Sequence, residues 1–211
     1  MISKTPAVDD RRPLKVRSAR WAKWVARGLA SRGVTPNQIS VASIVFAGAA
    51  AGCMLAGGWL LIGAALCIQA RLLCNLFDGM VAVEHDRATP LGALYNEFPD
   101  RVADSVLFVA AGSVAGIFWL GWATALAAAL TAYVRVFGAA CGQVNDFRGP
   151  MAKQQRMAVL TAICVATPCL PSLPSLFLAG LIFIAVLSAV TCVTRTVHLC
   201  RLLMNVPTQP L

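Results

Sequence analysis

Charged residues are scarce in this sequence. Only 13% of its 211 residues are Asp, Glu, Lys or Arg, which is about half the fraction in a typical soluble domain. Hydrophobic residues make up 58% of the chain, and the mean hydropathy is +0.72. An ordinary soluble domain is therefore excluded. The composition indicates an all-α, polytopic membrane protein, and the length suits a single bundle of helices.

Several local signals are also absent. The first 35 residues contain no apolar run, so we expect no cleavable signal peptide. None of the eight cysteines stands in a CxxC or Cys/His metal spacing, so we expect them to pack as small apolar residues between helices. The net charge of +9 does not come from a soluble basic domain. Anionic lipid is therefore a better expected partner than nucleic acid.

Apolar stretches recur along the chain. A membrane-spanning helix needs about 20 mostly apolar residues, and six stretches reach or approach that length. Tight turns are expected at Gly57 and Gly58, at Gly121, and at the prolines between 168 and 174. The six predicted spans are residues 38–57, 59–77, 93–118, 120–141, 155–170 and 173–194.

Lys and Arg are distributed unequally between the predicted loops. The turns near 58, 119 and 171 contain neither residue, whereas the N-terminal segment contains nine. Positive residues are retained on the cytoplasmic side of a membrane. We therefore expect both termini and the turns near 78–92 and 142–154 to be cytoplasmic, in a bacterial-type cytoplasmic membrane.

The segment before the first span has a helical pattern. Within residues 13–32, five apolar side chains can share one face while three basic ones point away, as in a helix lying in a membrane interface. A basic flank without further role is the alternative. We divide the chain into a basic N-terminal segment with this helix (1–35), a six-helix membrane domain (36–200) and a cytoplasmic tail (201–211). The apolar residues are Leu14, Trp21, Trp24, Val25 and Leu29, and the basic ones are Arg20, Lys23 and Arg27.

Six of the nine acidic residues fall within 27 positions, from Asp78 to Asp104. Carboxylates at membrane depth are costly and mark ion or substrate sites. Asn75 and Asp78 are three residues apart and share a helix face. Asn96 and Asp100, four apart, share a face of the next helix. A short connection should make these helices antiparallel neighbours, so the four side chains can converge on Mg²⁺ or Mn²⁺ at the cytoplasmic surface.

Small residues lie among these acids. Gly79, Ala82 and Gly92 leave room for a bulky ligand against the helix backbone, and a diphosphate that bridges the metal fits this geometry. The alternative is that the acids lie in interfacial water and pair with Arg87 or Arg101.

This spacing resembles the signature of the CDP-alcohol phosphotransferase (phosphatidyltransferase) family, Asp-x2-Asp-Gly-x2-Ala-Arg-x8-Gly-x3-Asp-x3-Asp. Every spacing is kept in this chain, and the segment GVTPNQIS and the six spans are similar to the family as well. Asn75 and Asn96 stand at the first and third Asp positions, and Val83 stands at the Arg position. The matching residues are Asp78, Gly79, Ala82, Gly92 and Asp100.

Enzymes of this family transfer a substituted phosphate from a CDP-linked donor to an alcohol and release CMP. The resemblance implies a phospholipid-synthesising membrane transferase that uses CDP-diacylglycerol and Mg²⁺ or Mn²⁺, as a homodimer. It implies metal ligation by Asp78 and the other three signature positions, with Asp100 as a ligand or as the base for the acceptor hydroxyl. Gly79, Ala82 and Gly92 would line the nucleotide pocket.

Basic residues near this window are candidates for binding a phosphate. Arg135, inside the fourth predicted span, should have a buried anionic partner. That partner is either an acceptor or lipid phosphate, or the carboxylate of Asp104 or Glu97. Lys153 and Arg156, near the next cytoplasmic turn, are further candidates.

The two Asp-to-Asn exchanges remove two negative charges from a site that balances two dications in the family. Asn75 and Asn96 still offer carbonyl oxygens. Three outcomes are open: a single metal binds, or Glu97, Glu84 or Asp104 supplies the missing charge, or catalysis is lost and a lipid- or nucleotide-binding protein remains. A transporter is disfavoured because the acids cluster at one end of the spans.

Overall fold

The structure is a computed structural model that describes residues 19–84, 91–169 and 173–205. Within these residues it contains seven α-helices and no strand, so the predicted all-α class is confirmed. A short 3₁₀ turn, Thr167–Cys169, continues the sixth helix. The helices are α1 (Arg20–Ser31), α2 (Pro36–Ala56), α3 (Leu60–Glu84), α4 (Gly92–Val114), α5 (Phe118–Ala140), α6 (Lys153–Ala166) and α7 (Leu173–Met204).

Local sequence sets both ends of α2. The Thr35 side chain accepts a hydrogen bond from the Gln38 backbone N–H at 3.3 Å, and the Gln38 side chain accepts one from the Thr35 N–H at 2.9 Å. This reciprocal capping box, with Pro36 at the first helical position, fixes the start of the helix. At the other end Gly57 and Gly58 adopt φ angles of +71° and +58°, which glycine tolerates best. The turn predicted there is confirmed.

Four of the described helices are long and apolar enough to cross a membrane: α2, most of α3, α5 and α7. The chain is therefore an integral membrane protein. Among the two remaining predicted spans, α4 contains too many charged residues and α6 has only 14 residues. At 1.5 Å per residue α6 is about 21 Å long, which is shorter than the hydrocarbon core of a bilayer.

Two helices run beyond the limits that their apolar stretches predicted. The second predicted span ended at 77, but α3 continues to Glu84 and so carries Asp78 inside the helix. The sixth predicted span ended at 194, but α7 continues to Met204. Arg195 does not end α7 because its buried guanidinium donates to the backbone oxygens of Arg148 and Thr131, both at 2.8 Å.

The turn predicted at Gly121 lies elsewhere. The chain turns at Gly116, which has a φ of +72°, and Gly121 lies inside α5. There it permits close packing of α4 and α5. A Cβ atom on Gly121 would lie 2.6 Å from the Phe108 carbonyl oxygen, and one on Gly112 would lie 2.7 Å from Gly121 Cα. This glycine is needed for helix contact rather than for a turn.

The six longer helix segments after α1 close into a ring. α2 packs against both α3 and α4, and contacts then run from α4 to α5, α7 and α6 and back to α3. α3 and α4 touch each other little, so the prediction that they are packed neighbours was wrong. α2 separates them because its buried Ala47, Ala50 and Ala51 allow both helices to approach it closely.

A helix, α1, lies within the segment for which an interfacial helix was predicted. Its alanines Ala22, Ala26 and Ala30 are buried against the C-terminal end of α3. Trp21 contacts the Phe77 ring edge-on at 6.1 Å, whereas Trp24 is 74% exposed. The predicted apolar face is therefore partly in contact with the protein and partly exposed. Leu14 lies outside the described residues.

Candidate active site

Asp78 lies near the end of α3 and is buried, with 4% of its surface exposed. Ser40 of α2 donates its hydroxyl to Oδ2 of Asp78 at 2.7 Å. The backbone N–H of Gly79 lies 2.5 Å from Oδ1. Both carboxylate oxygens are therefore held in fixed positions. Ser40 was not predicted as a site residue. The sequence shows only that it is a hydroxyl residue on a largely apolar helix.

Asp100 of α4 is buried among three cations. The Lys153 Nζ atom lies 2.5 Å from its Oδ1, Arg71 Nη2 lies 3.7 Å from the same oxygen, and Arg101 Nη2 lies 3.6 Å from Oδ2. Oδ1 has no hydrogen bond of good geometry within the described part of the chain. Its negative charge is thus compensated mainly by ionic contact.

The two acids that match the signature come together in space. Asp78 and Asp100 are close enough for their charges to interact, and the Lys153 ammonium acts on Asp78 as well. Their interaction agrees with the convergence predicted from the spacing, although α3 and α4 pack together little. It arises at the ends of helices that surround α2.

The two signature asparagines differ in their surroundings. Asn75 is half-buried, and its Nδ2 is buried without a hydrogen-bond partner among the described residues. Nitrogen and oxygen of an amide exchange places by a flip, so Asn75 can turn either atom toward a ligand. Asn96 is exposed on α4, one turn before Asp100.

These residues form an oxygen-rich donor set. Among the residues that the structure describes, no three carboxylate, His or Cys side chains converge on one point. Asn at two signature positions explains this, because Asp78 and Asp100 are the remaining acids. Carboxylate and amide oxygens suit a hard cation such as Mg²⁺ or Mn²⁺, and the Asn75 amide, whose Nδ2 has no hydrogen-bond partner among the described residues, fits a ligand at this place.

Asp104, one of the candidates to supply the missing charge, is paired with two arginines. It is buried, and its two oxygens bind separate guanidiniums: Arg71 lies 2.5 Å from Oδ1 and Arg156 lies 3.3 Å from Oδ2. Arg71 was missed in the sequence. A signal was available, because an arginine within an apolar helix one turn before Asn75 needs a buried anionic partner.

Arg135 of α5 pairs with Glu97, which was one of its two predicted carboxylate partners. Its Nη2 lies 2.6 Å from Glu97 Oε1, and it also contacts Asn145 at 3.4 Å. The guanidinium sits 5.8 Å from the ring centre of Phe147. Because Arg101 lies 3.8 Å from the other Glu97 oxygen, the Glu97 charge is directed to arginines rather than to the acid pair.

The other predicted phosphate ligands lie at the start of α6. Lys153 is partly exposed and contacts Asp100. Arg156 is buried and donates to Thr131 at 3.2 Å and to the Met151 carbonyl at 3.0 Å, in addition to Asp104. It is therefore committed to protein acceptors. A groove of about 560 Å³ lies between the loop before α6 and the end of α7; it is lined by Gln143, Asn145, Phe147, Arg148 and His198 among others.

The predicted nucleotide-pocket residues are half-buried: Gly79 and Ala82 near the end of α3, and Gly92 at the start of α4. They therefore flank the acid pair on both helices. The side chains of Val83 and Glu84 and the whole of Arg87 lie outside the described part of the chain.

Comparison with known proteins supports the class that the fold and spacing indicate. No family model matches the chain. However, curated relatives align along most of its length, and solved structures share its fold. The resemblance to the CDP-alcohol phosphotransferase family is confirmed.

The relatives are phosphatidylinositol phosphate synthases. Those of Mycobacterium bovis and Mycobacterium tuberculosis are each 27% identical over 185 residues, which covers 81% of this chain and 82% of theirs. The crystal structure of the M. tuberculosis synthase with CDP-DAG bound has a TM-score of 0.72 at 22% identity, covering 86% of this chain and 94% of that one. The complex with manganese and citrate has a TM-score of 0.72 at 21% identity, covering 85% and 88%.

Proposed function

We propose that this chain is a membrane transferase that moves a phosphatidyl group from CDP-diacylglycerol to an alcohol and releases CMP. The observation that carries the proposal is the meeting of Asp78 and Asp100 at the ends of two helices, at the spacing of the family signature. Support comes from the relatives, which are phosphatidylinositol phosphate synthases; the M. tuberculosis synthase has been solved with CDP-DAG and also with manganese and citrate. The reaction belongs to phospholipid biosynthesis.

Mg²⁺ or Mn²⁺ is the expected cofactor, held by Asp78 and Asp100 with the amide oxygens of Asn75 and Asn96. When bound, the metal neutralises charge on the diphosphate of the donor. Two carboxylates and two neutral amides carry half the negative charge of the full signature. This donor set favours one dication over two.

Asp100 is the proposed base. Its Oδ1 contacts the Lys153 ammonium at 2.5 Å, whereas Oδ2 is approached by Arg101 only at 3.6 Å, so Oδ2 is the oxygen proposed to take the proton of an acceptor hydroxyl. The acceptor oxygen then forms a bond to the donor phosphorus that carries the diacylglycerol group, and the bond from that phosphorus to the bridging oxygen of CMP breaks. Asp78, with both oxygens held by Ser40 and Gly79, supplies a fixed ligand instead.

The acceptor and nucleotide sites are proposed on either side of this base. Gly79, Ala82 and Gly92 line the nucleotide pocket. Arg135 binds an acceptor or lipid phosphate beside the groove before α6, because its planar guanidinium suits bidentate phosphate contact. Lys153 and Arg156 supply further positive charge, with Arg156 behind the site where it is bound to protein acceptors.

We propose the following arrangement in the membrane. α2 to α7 make six spans with both termini and the active site cytoplasmic, as the Lys and Arg distribution favours. α4 is one of the six spans of the ring, and its charged side chains pair there with arginines. α1 lies in the interface with Trp21 and Trp24 toward lipid. Residues 1–35, 36–200 and 201–211 form the N-terminal segment, membrane domain and tail, and the protein acts as a homodimer.

The decisive experiment measures CMP release by purified protein with CDP-diacylglycerol, Mg²⁺ or Mn²⁺ and a panel of alcohols, among them inositol phosphate. Asp78→Ala and Asp100→Ala should each lower CMP release by about 100-fold or more, the usual range for loss of a positioned base. Asp10→Ala removes an acid from the N-terminal segment and should leave the rate unchanged. Turnover near the wild-type rate in both site variants refutes the proposal.

A catalytically silent lipid- or nucleotide-binding protein is the second candidate. The observations that favour it are the asparagines at positions 75 and 96 and the pairing of Asp100 with Lys153. It predicts donor binding without CMP release across the whole acceptor panel. In that case Asn75→Asp combined with Asn96→Asp should restore turnover, whereas a fall in turnover shows that the asparagines are adapted to catalysis.

A further inference from the structure

The buried acids of the candidate site are compensated by neighbouring basic side chains. Such pairing matters because an unpaired buried charge is costly. The acids are Asp78, Asp100 and Asp104. Three bases lie within 3.3 Å of Asp100 or Asp104, namely Arg71, Lys153 and Arg156, and Arg101 lies further from Asp100, at 3.6 Å.

The three bases are held to different degrees. Arg71 and Arg156 are fully buried between helices, and both are tied to Asp104. Lys153 is the first residue of α6, its side chain is 21% exposed, and its ion-pair partner is Asp100. A lysine stem has four rotatable carbons. Lys153 is therefore the base that can leave its place at lowest cost.

The Lys153 ammonium also occupies the place where a cation would bind. It lies 2.5 Å from Asp100 Oδ1, and an oxygen–metal distance for Mg²⁺ is about 2.1 Å. An ammonium and a dication at the same oxygen would repel each other strongly. With asparagine at positions 75 and 96 the site lacks the negative charge to hold both.

We propose that Lys153 is an internal counter-ion of the metal-free site, and that a divalent cation binds by displacing its ammonium from Asp100. This inference rests on the metal site of the proposed function. Metal binding and release of Lys153 are then one event, and the released ammonium becomes available to a phosphate oxygen. Lys153 thus sets how strongly the metal binds and couples metal binding to phosphate binding.

The test measures Mn²⁺ binding to the purified full chain, by the loss of the electron paramagnetic resonance signal of free Mn²⁺. Lys153→Met removes the competing charge and should lower the Mn²⁺ Kd by about tenfold or more, as expected for loss of one adjacent like charge. Arg201→Met removes one positive charge from an exposed position and should change the Kd less than twofold. A Kd in Lys153→Met equal to or higher than that of wild type, or no Mn²⁺ binding in either protein, overturns the proposal.

A second measurement uses the wild-type protein and does not depend on how a variant folds. Amine-selective reductive methylation, read by mass spectrometry of peptides, reports the freedom of each lysine. Saturating Mn²⁺ should raise the methylation rate of Lys153 several-fold and leave that of exposed Lys23 unchanged. A rate at Lys153 that stays constant or falls with Mn²⁺ contradicts displacement.

These results separate the inference from the proposed function. Tighter Mn²⁺ binding in Lys153→Met together with no CMP release in wild type would refute the transferase function and leave the counter-ion role standing. Metal-dependent CMP release in wild type with an unchanged Mn²⁺ Kd in Lys153→Met would support the transferase function and refute the counter-ion role.

Discussion

Replacing Asp104 by Asn should destabilise the protein strongly. Asn keeps the shape of the side chain but removes the negative charge that Arg71 and Arg156 share at 2.5 and 3.3 Å. All three side chains are almost completely buried, so water cannot replace the lost charge. The change leaves Arg156 without its anion and leaves Arg71 with only the Asp100 carboxylate, at 3.7 Å.

The size of the effect follows from these contacts. Removing one partner of a buried ion pair costs about 3 to 5 kcal/mol. The lower end applies here, because Arg71 keeps a contact with the Asp100 carbonyl at 3.4 Å and Arg156 keeps Thr131 and Met151. About 3 kcal/mol corresponds to a fall in Tm of roughly 6 to 12 °C for a chain of this length.

Thermal unfolding in detergent, followed by tryptophan fluorescence, measures this Tm. The matched control is Glu97→Gln, on the same helix as Asp104. It breaks the ion pair of Glu97 with Arg135 of α5, whose side chains are 28% and 18% exposed, respectively. That pair should contribute about 1 kcal/mol or less, so Tm should fall by less than about 4 °C. An Asp104→Asn protein that melts within about 2 °C of wild type refutes the reasoning.

A double variant tests the same pair independently. Arg71→Met with Asp104→Asn removes one of the stranded cations along with the acid. The combined loss should be smaller than the sum of the single losses by about 0.5 to 3 kcal/mol, the range for residues in direct contact. Strict additivity would show that the two side chains do not stabilise each other.

Three further predictions concern packing, the acid pair and the acceptor. Gly121→Ala should lower the free energy of unfolding by about 1 to 3 kcal/mol because its Cβ would overlap the α4 backbone. Gly48→Ala, where a Cβ meets open space, should leave Tm unchanged or raise it slightly. Ser40→Ala should lower CMP release by about tenfold, because a hydrogen bond to a carboxylate contributes about 1.5 to 3 kcal/mol; Ser43→Ala, which loses only a bond to a backbone oxygen, should leave the rate unchanged. Arg135→Lys should raise KM for the acceptor and leave KM for CDP-diacylglycerol unchanged, and equal changes in both would contradict its assignment.

Fixed sequence spacing predicted the features that depend on local geometry. Residues three and four apart on a helix share a face whatever the rest of the fold does, and this spacing made Asp78 and Asp100 candidates for one site. The apolar stretches likewise predicted the helices, four of which are long and apolar enough to span a membrane. The start of α2 is also set locally, by the reciprocal bonds of Thr35 and Gln38.

Features that depend on contacts between distant residues could not be predicted. The position of α2 between α3 and α4 results from rows of alanine and glycine, which have no distinctive periodicity in an apolar chain. A glycine such as Gly121 looks the same in the sequence whether it forms a turn or allows two helices to pack closely. The pairing of Asp104 with Arg71 and Arg156 was not predicted because these partners lie 33 and 52 residues away.

The pairing of Arg71 with Asp104 sets an order of assembly for the newly made chain. α3 emerges from the ribosome before α4, so the guanidinium is already available when the charged helix α4 arrives. The two then form an ion pair, which removes much of the cost of burying an unpaired charge. Arg156 arrives last and reaches Asp104 only after α6 has been made. Completion of the acid pair, through Lys153 of that same helix, must therefore wait until most of the protein is synthesised.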